Sequence, residues 1–466
     1  MSLFRRKIIV PQPPESALAR TLSWPHLVAL GVGAIVGTGI LTLIGVGADR
    51  AGPAVILSFA IAGAICACAA LAYAEMATMI PASGSAYTYS YVVLGEVIAW
   101  VIGWSLILEY SLVVSTVAVG WSGYASALLT PIGFPVALTN GPELGGLVNV
   151  PAIFIIAVVA GLLMFGTKES ATLNAVLVVV KMIALAVFVF VALPYFSAAN
   201  LEPFSPFGFA AHAVTTADGK IVERGVMAAA AIIFFAFYGF DAISTAAEET
   251  KNPGRDLAIG IVGSMVACVI IYMLVAVAAV GALNFSRFAD SPEPLALILR
   301  ELGRPAFATF LAASAVIALP TVLLGFLYGQ SRIFFVMARD GLLPQSLAKV
   351  SRRGTPVRIT LMTAALVAII AGVMPIDAIA ALANAGTLAA FVAVCVCMLV
   401  MRRREPDAKR TFRTPAAPVV GTIGIVGCVY LFFSLPQTTQ LYFLLWNAFG
   451  LVVYFAWGRR RALAVG

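Results

Sequence analysis

The sequence predicts an all-α integral membrane protein of about twelve spans, and three observations carry that reading. Of 466 residues, 62% are hydrophobic and only 11% charged, with a mean hydropathy of +1.02. A soluble globular chain is nearer half apolar and a quarter charged. The apolar residues fall into runs close to the roughly 20 residues a helix needs to cross a bilayer. The basic residues gather in alternate connections between those runs, which is a topology signal. Together these exclude a soluble enzyme, a disordered tail and a nucleic-acid-binding module. The net charge of +8 is therefore read as orientation and not as affinity for nucleic acid.

The expected spans are 27–48, 53–80, 92–128, 150–165, 172–196, 226–248, 257–281, 305–337, 357–373, 377–401, 416–434 and 441–457. The third and eighth are too long for a perpendicular helix, so tilt or extension beyond the lipid is expected. Arg5, Arg6, Lys7 and Arg20 precede span one. Lys349, Arg352, Arg353 and Arg358 precede span nine, and Arg402, Arg403, Arg404, Lys409, Arg410 and Arg413 follow span ten. Arg459, Arg460 and Arg461 follow span twelve. All of these lie on one side. The other side holds Arg50, Lys220, Arg224, Arg287, Arg300 and Arg304. The bias places both termini in the cytoplasm of a multi-pass cell-membrane protein.

The chain divides into a cytoplasmic segment at 1–25, spans one to five at 26–196 and an outer loop at 197–225. Spans six to ten follow at 226–404, with two last spans and the cytoplasmic C-terminus at 405–466. The apolar spacing of 295–301 suggests a short helix on the outer face. No cleavable signal peptide is expected, because no apolar stretch follows the first basic residues soon enough. The six cysteines, Cys66, Cys68, Cys268, Cys395, Cys397 and Cys428, lie inside apolar runs and read as small packing residues. The two histidines, His26 and His212, fall outside the spans. No metal site and no histidine-based catalysis is expected.

Span one contains Gly31, Gly33, Gly37 and Gly39 within nine residues. Each weakens a helix by about 1 kcal/mol relative to alanine. One reading is a helix broken near Gly37-Thr38-Gly39, whose freed N–H groups and positive dipole end face a carboxylate. The other is close helix packing through the Gly33/Gly37 pair. Span six carries a matching interruption, where Gly239 and Asp241 break an aromatic run. Span six comes five spans after span one, and five is odd, so successive units of that length have opposite orientations. Paired interruptions in two inverted halves point to a transporter's binding site. Asp241 reads as a cap on the half-helix after it or as a group facing protein or water.

Lys181 lies deep in span five, too far from the inner surface for easy snorkelling. Burial strips hydration from an ammonium and favours proton release, which suits a proton-coupling group. The alternative is a static cation held by helix carbonyls. Glu109, at the middle of span three, either lines a substrate pathway or completes an internal network. Glu75 and Glu96 read as interfacial capping or pairing. The Glu248–Arg255 stretch reads as a solvated loop, with a cytoplasmic gate as the alternative.

The run from Phe234 to Leu257, including Phe240-Asp241-Ala242-Ile243-Ser244-Thr245, is closely similar to the cationic amino acid transporter branch of the amino acid–polyamine–organocation superfamily. Gly33-Ala34-Ile35-Val36-Gly37-Thr38-Gly39-Ile40 resembles the first-helix motif of that superfamily. Tyr328–Phe335, Arg339–Pro344, Asn384–Leu388 and Arg410–Pro415 also fit, and the resemblance covers about residues 18–460.

The resemblance implies the LeuT-type fold, with five plus five inverted helices and two more at the C-terminal end. It implies a carrier of L-amino acids in the lipid bilayer and no enzyme, most simply a proton symporter working by alternating access. The alternative is an exchanger or facilitator in which Lys181 is a fixed cation. The substrate carboxylate would meet N–H groups near Gly37, Thr38 and Gly39 and the Thr38 hydroxyl. The ammonium would meet carbonyls at Ile35, Phe235 and Tyr238. Phe235 would take the aromatic gate position, with Ala236 and Glu109 in the pocket wall. Lys181 matches the position where sodium-coupled relatives bind an ion, with Gly33, Val36 and Thr321 as expected partners. No cofactor is implied beyond the coupling proton, and a lysine there argues against sodium. At 318–321 the family's glycine and paired hydroxyls are reduced to Thr321. Tyr238 replaces a common aliphatic residue. The aromatic and alanine-rich pocket stretch favours small apolar over cationic substrates. The sequence carries no signal for an oligomeric state or an accessory subunit.

Overall fold

The computed structural model describes residues 5–7, 22–165, 168–215, 221–348 and 357–459. Arg20, Lys220, Lys349, Arg352, Arg353, Arg460 and Arg461, which contribute to the charge bias, lie outside them. Among the described residues, nine helices are long and apolar enough to cross a membrane, and three shorter apolar helices complete the set. The protein is an all-α membrane protein. Its only described strands are a small antiparallel hairpin, His212–Thr215 with Ile221–Arg224, between spans five and six.

Span one begins as Trp24–Ile35, with a proline in its first turn, and starts early enough to take in His26, a residue expected outside the spans. It breaks at Val36 and Gly37, resumes at Thr38–Leu41, and ends as Leu43–Ala51. Span two is Val55–Met79. Span six runs Val226–Ile233, tightens to a 3₁₀ turn at Phe234–Ala236, breaks, and resumes at Asp241–Thr245. Spans four, five and seven are Val150–Phe165, Lys168–Ala192 and Pro253–Ala282. Spans nine to twelve are Val357–Val373, Ile376–Arg404, Ala417–Phe433 and Gln437–Val453, the last extended by a π turn.

Two long runs resolve differently from the expectation. The run from 92 holds a helix end, a turn and span three. A separate helix covers Ser85–Val93, and Glu96–Leu129 starts after Gly95, whose φ of 109° ends continuity. The eighth run is two helices, Pro305–Ala318 and Pro320–Arg339, joined at Leu319. Pro320 has no N–H to offer the Val316 carbonyl one turn earlier. The indole of Trp121 donates to that oxygen at 2.7 Å instead. The expected short helix is present at Pro294–Glu301.

The breaks of spans one and six pack against each other in opposite directions. Gly31 lies beside Ile243, Gly39 beside Ala236, and Gly47 beside Ile233. Rising numbers in span one thus meet falling numbers in span six, the relation that inverted repeats require. Glycine is required where a positive φ coincides with a close backbone contact. Gly239 has φ +124°, and a Cβ there would sit 2.8 Å from the Ala34 carbonyl carbon.

Glu75 and Glu96 are paired. Arg402 grips Glu75 with two bonds of 2.6 and 2.7 Å, Arg410 adds one at 3.2 Å, and the Thr414 N–H a fourth at 2.8 Å. This cluster pins the C-terminal end of span two to span ten and the loop after it. Glu96 accepts from Tyr91 and Tyr454.

Candidate functional site

The site forms where the two breaks meet, because a broken helix leaves backbone groups without intrahelical partners. Such groups are tolerated at membrane depth only inside protein or a cavity. Val36 is extended at φ −75°, ψ 98°, and Gly37 lies at φ −148°, ψ −147°. The half-helix from Thr38 then directs its first N–H groups into the protein centre. Gly33, Ile35, Val36, Gly37, Thr38, Gly39, Glu109, Lys181, Phe235, Ala236, Tyr238 and Thr321 are all buried.

The Thr38 hydroxyl is buried and has no partner among the described residues. Gly120 of span three makes room for it, since a Cβ there would strike the Thr38 methyl. Across the break, Phe235 and Tyr238 pack edge to face with ring centroids 5.1 Å apart. The Tyr238 hydroxyl is also buried without a partner. Both Glu109 carboxylate oxygens are in the same position, and Thr387 of span ten borders Glu109 and Tyr238. An unpartnered buried polar atom is costly. Four of them, on three residues of spans one, three and six, therefore mark a place suited to further polar groups.

Other polar groups are committed to holding the breaks. The Tyr272 hydroxyl donates to the Ile35 carbonyl at 2.8 Å. The Asn384 amide donates to the Ala231 and Ile232 carbonyls at 2.7 and 3.1 Å. Asp241 accepts from the Gly239 N–H at 3.1 Å and from the Tyr110 hydroxyl at 2.5 Å. Asp241 thus folds back on the break and ties it to span three. Sequence reasoning missed Tyr272, Asn384, Tyr110 and Gly120 as supports. Their one signal was a polar or missing side chain inside an apolar span, and the partner of each lies on a distant segment.

Lys181 reaches the break from the opposite side. Its ammonium donates to the Gly33 carbonyl at 2.7 Å, the Val36 carbonyl at 2.8 Å and the Thr321 hydroxyl at 2.8 Å. Thr321 in turn donates to the Ala318 carbonyl at 2.7 Å, so its lone pair faces Lys181. An ammonium has three donors, and all three are used.

Beyond its break, span six ends in contacts with span eight. Glu249 pairs with Arg332 at 3.5 Å and accepts from the Tyr328 hydroxyl. Glu248 accepts from the Ser83 N–H at 3.0 Å and faces Arg339 at 4.0 Å. Lys7 and Tyr87 meet on Asp340 at 2.7 and 2.9 Å. Glu248 and Glu249 are therefore engaged with span eight and its neighbours. Past the break of span one, the Tyr124 hydroxyl donates to the Leu41 carbonyl at 2.6 Å.

The family profile described as amino acid permease matches residues 22–456. A branched-chain amino acid permease of Bacillus subtilis (strain 168) is 42% identical over 99% of this chain and 98% of its own length. A methylthioribose transporter of the same organism is 40% identical, covering 99% of both chains. A vacuolar cationic amino acid transporter of Arabidopsis thaliana is 37% identical over 87% of this chain and 68% of its own.

Proposed function

Because the chain belongs to the amino acid permease family of the amino acid–polyamine–organocation superfamily, we propose that it takes up L-amino acids with protons by alternating access. It is a transporter and not an enzyme. The observation that carries the coupling is the Lys181 ammonium, whose three bonds join the break of span one to Thr321 of span eight. The unpartnered Thr38 hydroxyl supports an amino acid as cargo. Its position beside the first N–H groups of the half-helix suits a carboxylate. The ammonium of the substrate goes to the freed carbonyls of span six near Phe235, with the Ile35 carbonyl shared with Tyr272.

Coupling follows from counting donors. A protonated Lys181 supplies three N–H groups for three acceptors, and a neutral amine supplies two. Proton loss therefore weakens the tie between span one and span eight. Spans one, two, six and seven then rock against the rest, breaking the Glu249–Arg332 closure on the way inward. Each state binds the proton and the substrate with different free energy, as coupling requires. The aromatic, alanine-rich wall around Phe235 and Ala236 suits aliphatic side chains. We place the protein in the cell membrane with both termini in the cytoplasm.

Full occupation of the three Lys181 donors also fits a permanent cation, and with it an amino acid exchanger. Uptake of a labelled panel into sodium-free proteoliposomes separates the two. The panel holds branched-chain, small neutral and cationic amino acids, with methylthioribose beside them. Accumulation of an amino acid only under an inward proton gradient is the result expected. Equal uptake without the gradient, stimulated by amino acid preloaded inside, assigns exchange. Uptake of methylthioribose alone removes amino acids as cargo.

A further inference from the structure

The cavity at the start of span seven has no part in the transport cycle proposed above. It measures about 530 Å³ and is lined by Lys251, Arg255, Ala258 and Ile259 with Thr411 and Phe412 of the loop after span ten. That volume is in the range of small-ligand pockets. Gly254 forms its narrow side, where a Cβ would approach Thr411 Oγ1 to 3.1 Å. Lys251 and Arg255 are exposed and join no salt bridge among the described residues. Three more deeply placed cations are committed, Arg402 and Arg410 to Glu75 and Arg332 to Glu249.

The apolar side of the cavity continues along span seven. Arg255 and Ile259 begin a helical stripe on which Val266, Ile270 and Leu274 are 53%, 58% and 46% exposed. In a membrane protein such a face contacts acyl chains. From Ile259 to Ile270 the stripe runs about 16 Å at 1.5 Å per residue, close to one leaflet of a ~30 Å hydrocarbon core. Two unpaired cations thus sit at the mouth of a leaflet-deep apolar track.

We propose that this cavity binds the phosphate headgroup of an anionic phospholipid from the leaflet on its own side, with the acyl chain along Ile259, Val266 and Ile270. Charge complementarity supplies the anion, and the track supplies the reason for a lipid over free phosphate. Each cation near such a headgroup contributes about 1 kcal/mol, or roughly fivefold in affinity. The site lies on the link from span six to span seven, so an occupant bears on a moving element.

The test uses the full-length protein, purified with phosphatidylglycerol or phosphatidylcholine and examined by native mass spectrometry. The variants are Lys251→Gln/Arg255→Gln and, as a control for general surface charge, Arg358→Gln. Phosphatidylglycerol carrying a photoreactive acyl chain maps the contact. The expected results are one retained phosphatidylglycerol on the wild type, at least a fivefold loss on the double variant, no loss on Arg358→Gln, and crosslinks at 259–270. Equal retention by the double variant overturns the site, as do equal loss on Arg358→Gln and crosslinks elsewhere. Displacement of the lipid by millimolar inorganic phosphate overturns the lipid assignment. Size-exclusion profiles show whether the variants are folded, and these exposed side chains leave the fold intact.

Discussion

The Thr321 hydroxyl accepts a hydrogen bond from the Lys181 ammonium at 2.8 Å and donates its own proton to the Ala318 carbonyl at 2.7 Å. The hydroxyl is thereby oriented, and one cation joins spans five, eight and one. Thr321→Val removes the acceptor and keeps the shape. A hydrogen bond to a charged group contributes about 1.5–3 kcal/mol, so gradient-driven accumulation is expected to fall about tenfold or more. Thr321→Ser restores it, as measured by uptake in proteoliposomes.

Gly239 lies at φ +124° against the Ala34 carbonyl. Gly239→Ala adds both a clash and backbone strain, at a cost of about 1–3 kcal/mol. Transport is expected to be lost, with a lower unfolding temperature in detergent. Full activity of Gly239→Ala shows that the two breaks do not pack in this manner.

Arg332 is the buried cation of the inner closure, paired with Glu249 at 3.5 Å. Removing one partner of a buried pair costs about 3–5 kcal/mol, which here falls on the closed state. Arg332→Gln is expected to open the inner side. The measurement is thiol labelling of Thr245→Cys, a residue buried in the closed protein. Labelling should accelerate at least tenfold in the Arg332→Gln background, above that of the native cysteines.

Glu75 has a 1% exposed side chain held by Arg402, Arg410 and the Thr414 N–H. Glu75→Gln leaves two guanidinium groups without a counter-charge. A loss of about 3–5 kcal/mol is expected, seen as earlier thermal unfolding and reduced yield of folded protein.

The spans were legible because apolar runs of membrane length have few alternatives. The break in span six was legible from Gly239 and Asp241, and that in span one from its glycines. The split at Leu94-Gly95 was hidden, since apolar Val92, Val93 and Val97 flank it and only the glycine's positive φ betrays it. Pro320 was visible, but its consequence depended on Trp121 from another span. The supports Tyr272, Asn384 and Tyr110 act across 237, 153 and 131 residues of chain. One sequence does not record such pairings. The cavity at Lys251 and Arg255 is hidden for the same reason, because Thr411 and Phe412 close it from afar.

Lys181→Ala tests the central claim most directly. Wild type and variant are compared in sodium-free proteoliposomes for amino acid exchange at equal pH and for accumulation under an inward proton gradient. The account predicts that the variant still exchanges substrate and no longer accumulates it. Accumulation equal to wild type contradicts the account and makes Lys181 a structural cation.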